Sequence, residues 1–316
     1  MTALRLIAGR FGLAFVTLFI VSIIIFAMVE ILPGDVASRI LGQLATAENL
    51  EVLRAQLQLN DPAPKRYLNW LVGIFQGDLG NTLTNQRPVT EMLGPRLKNT
   101  AILSLVAFAL YLPLALIPAA IQALNRDTVK DHALSILTLI ILSTPDFLLG
   151  TILLFGFVVV IPILPAQSLV DHTSSFLEYA RAIALPATTL ALVMAFYAVR
   201  MLRDNLIEVL DAEYIRTAEL NGLSRRSVLW RHALPNALIP TLNVTALNFS
   251  YLIGGVVIVE KVFSFPGFGR LLIDALLLRD IPLIEITILI AAAVYIAANL
   301  AADVISIVLN PRLRSS

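Results

Sequence analysis

Apolar residues dominate six long stretches of the chain, at 11–31, 100–124, 132–161, 183–201, 237–259 and 283–309. A helix rising 1.5 Å per residue needs about 20 mostly apolar residues to cross the hydrocarbon of a bilayer, so each stretch predicts one transmembrane helix. Arg5 and Arg10 precede the first stretch in the manner of a signal peptide. Its charge-free run exceeds the usual apolar region of such a peptide and no small-residue cleavage site follows, which predicts an uncleaved helix. Pro113 and Pro118 in the second stretch and Pro145 in the third predict bends whose freed backbone groups neighbouring helices satisfy.

Two polar segments interrupt this pattern. The first, 32–98, contains Leu32-Pro-Gly-Asp, an amphipathic run at 48–59, Asn60-Asp-Pro and Gly77-Asp-Leu-Gly. Polar helices with Pro/Gly turns predict a small cap outside the membrane. The second is a charge-dense island at 201–239. Lys and Arg in short loops decide orientation, because they are retained on the cytoplasmic side. With the N-terminus inside, that side holds Arg5, Arg10, Arg126, Lys130, Arg200, Arg203, Arg216, Arg225, Arg226, Arg231, Arg312 and Arg314, whereas the short outer loops hold only Arg181, Lys261, Arg270 and Arg279. Both termini and the island are therefore expected in the cytoplasm.

Composition narrows the class further. With 58% hydrophobic and 14% charged residues and a mean hydropathy of +0.84, the chain lies outside the soluble range. A net charge of +1 without a basic tract argues against nucleic acid. Zero cysteines exclude disulfides, thiolate metal sites and cysteine nucleophiles.

Within the island, 211–221 reads as a short helix with acidic residues at its positive end, stopped by Gly222. Ser224 is placed to cap a second helix through His232, and Leu234-Pro235 to return the chain toward the membrane. Helix, glycine, helix makes a protruding knob. Ala218 and Gly222 allow close approach of a partner surface, and Tyr214 and Leu220 offer apolar contact. The plain alternative is a solvated loop whose charges only set topology.

The order Arg216-Thr-Ala, Gly222, His232-Ala-Leu234-Pro235 resembles the cytoplasmic loop of the inner-membrane permeases of ATP-binding-cassette importers. That loop reads Glu-Ala-Ala, three residues, Gly, nine residues, Ile-x-Leu-Pro. Ala218, Gly222, Leu234 and Pro235 match it. Arg216, Thr217 and His232 depart from it in the manner of the peptide and nickel branch. Leu32-Pro-Gly-Asp, Gly77-Asp-Leu-Gly, Arg96-Leu-Lys-Asn-Thr, Val259-Glu-Lys-Val-Phe-Ser-Phe-Pro-Gly-Phe-Gly, Arg279-Asp-Ile-Pro and Asn310-Pro-Arg-Leu-Arg extend the resemblance over nearly the whole chain. Only Asn310, where the family usually has Asp, breaks the last of these.

The resemblance implies an all-α, six-span type I importer permease, with residues 1–96 as first helix plus cap and 97–316 as the permease core. It implies import of peptides or similar solutes, with Tyr214, Arg216, Thr217, Ala218, Gly222, Leu234 and Pro235 forming the ATPase-coupling surface. It also implies a homologous second permease, two cytoplasmic ATPases that bind ATP and Mg, and an extracytoplasmic substrate-binding protein. The cargo stays open among peptides, glutathione, nickel chelates, opines and oligosaccharides.

Ionisable groups in spans are costly and hence candidates for function. Asp146, after Pro145, is placed either to line a substrate path or to cap backbone donors freed at the helix break. Asn299 and Asp303 read as packing contacts, Glu285 as an interfacial residue, and Gly254-Gly255 as a close helix approach. The turn carrying Phe263, Pro266, Gly267 and Gly269 is a candidate outer gate, or else an interfacial anchor.

No lysine follows a glycine, so no P-loop is present. His132, His172 and His232 lack zinc-protease spacing, and no Gly-x-Ser-x-Gly elbow occurs. Cofactors and metals are not expected in this chain, and it is expected not to be an enzyme. The rival reading is an ion-coupled secondary transporter using Asp146 and Asp303; an intramembrane hydrolase ranks last.

Overall fold

A computed structural model describes residues 3–31, 46–56, 60–169 and 175–309. The Leu-Pro-Gly-Asp turn at 32–35, the tail motif at 310–314 and the side chains of Gly254 and Asp303 lie outside the described residues. The described chain is mostly helical, and its one strand-like feature is an isolated bridge between Asn81 and Pro88. The helices are α1 (Ala3–Ile31), α2 (Ala47–Gln56), α3 (Ala63–Gln76), α4 (Val89–Leu124), α5 (Val129–Ser143), α6 (Asp146–Leu154), α7 (Phe176–Leu210), α8 (Glu213–Leu220), α9 (Leu234–Val262), α10 (Phe268–Leu278) and α11 (Ile281–Leu309).

Among the described residues, four helical segments are long and apolar enough to cross a membrane: Gly9–Ile31, Val89–Leu124, Phe176–Leu210 and Ile281–Ala301. A fifth crossing would be the pair Val129–Ser143 and Asp146–Val160, bent by 109° at the break between them. The 36 residues of α4 and the 35 of α7 would each extend over about 50 Å, well beyond a hydrocarbon core of about 30 Å. Their ends therefore carry structure into the flanking polar layers.

The third predicted stretch is not one bent helix. Thr144 precedes a proline and is driven out of the α region, to ψ 125, and Pro145 itself sits at ψ 144. Two consecutive non-helical residues end α5 and let α6 restart at Asp146. α4, in contrast, runs on through Pro113 and Pro118.

The chain divides into two compact units, residues 98–270 with 298 onward, and residues 4–97 with 271–297. In the first, α7 is the central element: 72% of its most apolar window is buried. Leu103, Ala107, Tyr111 and Ala115 of α4 pack with Ile183, Ala187, Met194 and Ala198 of α7, and with Val256, Val259, Phe263 and Phe265. Small residues let these helices approach closely, as helices in lipid require. A second cluster joins the ends of α4 and α7 to the island.

In the second unit, α1 is peripheral, with only 11% of its window buried. Gly77 at φ 82 ends α3 in the left-handed conformation that glycine tolerates. Asp78 then accepts the Gly80 N–H at 2.9 Å to shape the turn. Asp280, 2% exposed, accepts from both the N–H and the hydroxyl of Thr84, at 3.2 and 3.1 Å. The loop that follows Gly-Asp-Leu-Gly is thus hydrogen-bonded to the Arg-Asp-Ile-Pro motif.

Candidate functional site

The island is built into the core rather than suspended from it. α7 ends at Leu210, and Asp211 closes its last turn while pairing with Arg126 at 2.9 Å. Ala212 is extended at ψ 144, so the short helix starts at Glu213 and not at Asp211. Gly222, at φ 84, turns the chain after Asn221, and Ser224 accepts the Ser227 N–H at 3.3 Å. Those features follow the sequence expectation.

The second helix of the island does not end at His232. A helical turn at Arg225–Ser227 widens into a π segment, Val228–Ala233, that feeds directly into α9. The Leu234 N–H reaches back five residues to the Leu229 carbonyl. Pro235 sits in the first turn of α9, and the wider turn relieves the clash of its ring with the carbonyl four residues earlier. The island therefore ends as the first turns of a long helix.

Ile215, Val228, Leu229, Ala233, Leu234 and Ala237 are buried together with Ala119, Ala123, Val199, Leu202 and Leu206 from α4 and α7. Asn236 donates to the Tyr214 hydroxyl at 3.1 Å and ties α8 to α9. Asn205 on α7 donates to Thr241 on α9 at 3.2 Å. Packed side chains and hydrogen bonds thus connect α8 to α4, α7 and α9.

The candidate residues separate by exposure. Tyr214, Arg216, Thr217, Gly222 and Pro235 are exposed. Leu220, 82% exposed, Leu223 and Trp230 are exposed apolar residues of the island, and the sequence pattern did not single out the last two. Ala218 and Leu234 face the other way and pack into the core beneath the knob. Because α8 stops at Leu220, Ala218 and Gly222 do not share one helix face.

A buried ion pair, also unforeseen, stands beside the island. Asp131, 1% exposed, takes Nε and Nη2 of Arg203 at 2.8 and 2.6 Å and the Asp127 N–H at 3.1 Å. It clamps the start of α5 to α7. Arg203→Ala should cost about 3–5 kcal/mol, because a buried carboxylate is left uncompensated. Thermal unfolding in detergent would read the loss, and Arg203→Ala with Asp131→Ala should recover part of it.

The turn after α9 is a latch. Glu260 is fully buried, and its carboxylate receives the Thr100 hydroxyl at 2.5 Å and the Arg270 N–H at 3.0 Å. Thr100 in turn accepts the Phe268 N–H at 2.8 Å, and Asn99 donates to the Pro266 carbonyl at 2.9 Å. The guanidinium of Arg270 donates to the Ser264 carbonyl. Phe263 is 1% exposed, and its carbonyl accepts the Ser168 N–H at 2.9 Å. A Cβ on Gly267 would meet the Glu260 carboxylate, and one on Gly269 would meet the Val257 backbone. Asn99-Thr100 and the Phe263–Gly269 turn, two separate sequence motifs, are one polar lock in an apolar surround.

Asp146 occupies the first turn of α6, at the 109° break, where its charge suits the positive end of the helix. Gly255 is buried. Glu285 is 7% exposed rather than an open interfacial residue. Asn299 is partly buried. Among the described residues no three His, Asp or Glu side chains converge as a metal-binding group.

Apolar helices of membrane length, with a charged knob packed against two of them, define a multi-pass membrane protein. The chain belongs to the family of binding-protein-dependent transport system inner membrane components, which it matches over residues 101–315, with the N-terminal component of the same family matching residues 3–104. It is 38% identical over 314 residues to a protein of Brucella abortus (strain 2308) named for a peptide transport system permease, covering 99% of both chains. It is 33% identical over 294 residues to one of Sinorhizobium fredii named for a peptide ABC transporter permease, covering 93% of this chain and 94% of the relative. A glutathione transport system permease protein of Escherichia coli (strain CFT073) is 35% identical over 298 residues, covering 94% and 95%. The protein is a permease subunit of an ATP-binding-cassette importer in the inner membrane.

Proposed function

We propose that this subunit forms half of the translocation path for peptides or similar small solutes delivered by an extracytoplasmic binding protein. Relatives named for peptide and glutathione transport support that solute class. The observation that carries the mechanism is the packing of Ile215, Val228, Leu229 and Leu234 against α4 and α7. In this reading the exposed surface of Tyr214, Arg216, Thr217, Gly222 and Pro235 receives one of two cytoplasmic ATPases, which bind ATP and Mg. Ala218 and Leu234 act from beneath it by holding the knob to the helices.

The full topology in this reading has six spans, with α9 as the span beyond the five described above. Its 29 residues, about 43 Å of helix, are long enough to cross. Both termini and the island lie in the cytoplasm, in accord with the Lys/Arg asymmetry of the loops. Residues 1–96 supply the first helix and cap, and 97–316 the permease core, paired with a homologous second permease. Asp146, at the break between α5 and α6, lines the path and meets amine-bearing groups. The Phe263, Pro266, Gly267 and Gly269 turn closes the outer side as a rigid piece, since its backbone is held by Asn99, Thr100 and Glu260. This chain itself carries out no hydrolysis.

Reconstitution into proteoliposomes with and without the ATPase subunits tests the reading. Uptake should require the complete assembly, ATP and the binding protein. Gradient-driven uptake by the isolated chain would overturn it.

A further inference from the structure

We propose that α3 is an interfacial membrane helix, whose stripe Leu68, Val72 and Phe75 enters the acyl region of the leaflet at the C-terminal end of α1. The helix is amphipathic and has no buried residue. One face is held to α1. Tyr67 and Ser22 share a hydrogen bond of 2.8 Å, Phe26 packs against Tyr67 and Trp70 at 5.4 and 6.1 Å between ring centroids, and Arg66 pairs with Glu30. The opposite face carries Leu68, Val72 and Phe75, which are 58%, 51% and 76% exposed.

The contacts set the depth. Phe26 lies five residues before Ile31, the end of the apolar segment Gly9–Ile31, and so about 7 Å inside it. Amphipathic interfacial helices sit about 5–10 Å into the boundary between headgroups and acyl chains. Tyr67 reaches deeper, to Ser22, which is only 2% exposed. Arg66 points back toward Glu30 at the end of α1, as a long cationic side chain does near an interface. The stripe on α3 is therefore at the level of exposed apolar residues on α1 itself, including Ile23, Ile24 and Met28. A water-soluble partner does not reach that level, whereas the acyl chains of a leaflet do. Lys65, Asn69 and Gln76 are exposed along one edge of the helix, where headgroups and water would meet them.

The inference rests on α1 crossing the membrane and not on how the island is used. The chain has no cysteine, so single cysteines at Val72, Phe75, Asn69 and Gln76 can each carry a nitroxide in the complete transporter in nanodiscs. Labels at V72C and F75C should collide with oxygen and lose collision with a nickel chelate, while N69C and Q76C keep the latter. Nickel-chelate access at V72C and F75C would overturn the proposal in favour of a solvated cap. Protection from both reagents would overturn it in favour of a protein partner. Should these variants fail to assemble, Trp230→Phe leaves Trp70 as the only tryptophan of this chain, reconstituted by itself, and does not touch the stripe. Its emission in nanodiscs should be quenched by brominated lipid more strongly from shallow acyl positions than from the chain ends. Absence of quenching would overturn the proposal.

Discussion

Gly222→Glu should abolish ATPase-coupled transport while the permease still inserts and assembles as a folded chain. At φ 84 any L side chain other than Asn or Asp is disfavoured, at roughly 1–2 kcal/mol. A Cβ there meets nothing within 4 Å, so the cost is conformational and local. The larger effect is at the surface. Glutamate would place a charge and four heavy atoms beyond Cβ on the exposed turn between α8 and Ser224, amid Leu220 and Leu223. Gly222→Asn, whose side chain tolerates the left-handed region, should keep most of the activity and so separates backbone strain from blocked docking. Co-purification of the ATPases, together with ATP hydrolysis in proteoliposomes, reads both variants. Wild-type hydrolysis and uptake in Gly222→Glu would refute the assignment of this surface.

Gly269→Ala should strike the fold itself. A Cβ would stand 2.5 Å from the Val257 Cα and 2.9 Å from its Cγ2, and the main chain of α9 has no rotamer to change. Overpacking costs about 1–3 kcal/mol where side chains can move, so about 3 kcal/mol or more is expected where backbone is struck. The expected result is a strong fall in monodisperse permease on size exclusion and a lowered melting temperature. Gly267→Ala differs in kind, because its Cβ would be 1.9 Å from the Glu260 carboxylate, a side-chain end held by Thr100 and the Arg270 N–H. In a double-mutant cycle Gly267→Ala and Glu260→Ala should be strongly non-additive. An unchanged melting temperature in Gly269→Ala would show that α9 and this turn are not packed as described.

Much of the architecture was legible because hydropathy is a property of consecutive residues. The apolar runs of α1, α4, α7 and α11 mark themselves, and so do the Ser224 cap and the Gly222 turn, each decided within three or four positions. The break after Ser143 was visible in Pro145, although its size was not. A proline predicts a disturbed helix, whereas 109° depends on Thr144 and Pro145 both leaving the helical region. The start of α8 was misplaced by two residues because Asp211 still closes the last turn of α7, its N–H on the Ile207 carbonyl, and Ala212 is extended. The continuity of Val228–Ala233 into α9 was missed because a proline clashes with the carbonyl four residues earlier in a regular helix, and only a widened helix admits it.

The sequence by itself determined a multi-span membrane protein with a charged island, since charge density, glycine and proline spacing and apolar length are all local quantities, and its motifs carried the resemblance to importer permeases. Only the tertiary structure decided which of those residues are surface and which are scaffold. Ala218 and Leu234 sit in the same motif as Arg216 and Gly222 yet are turned inward, because the apolar side of the knob must be buried against α4 and α7. Likewise, nothing local pairs Thr100 with Glu260 across 160 positions, or Asp131 with Arg203 across 72. An uncompensated carboxylate in an apolar surround is costly, so folding supplies the partner that the chain order does not reveal.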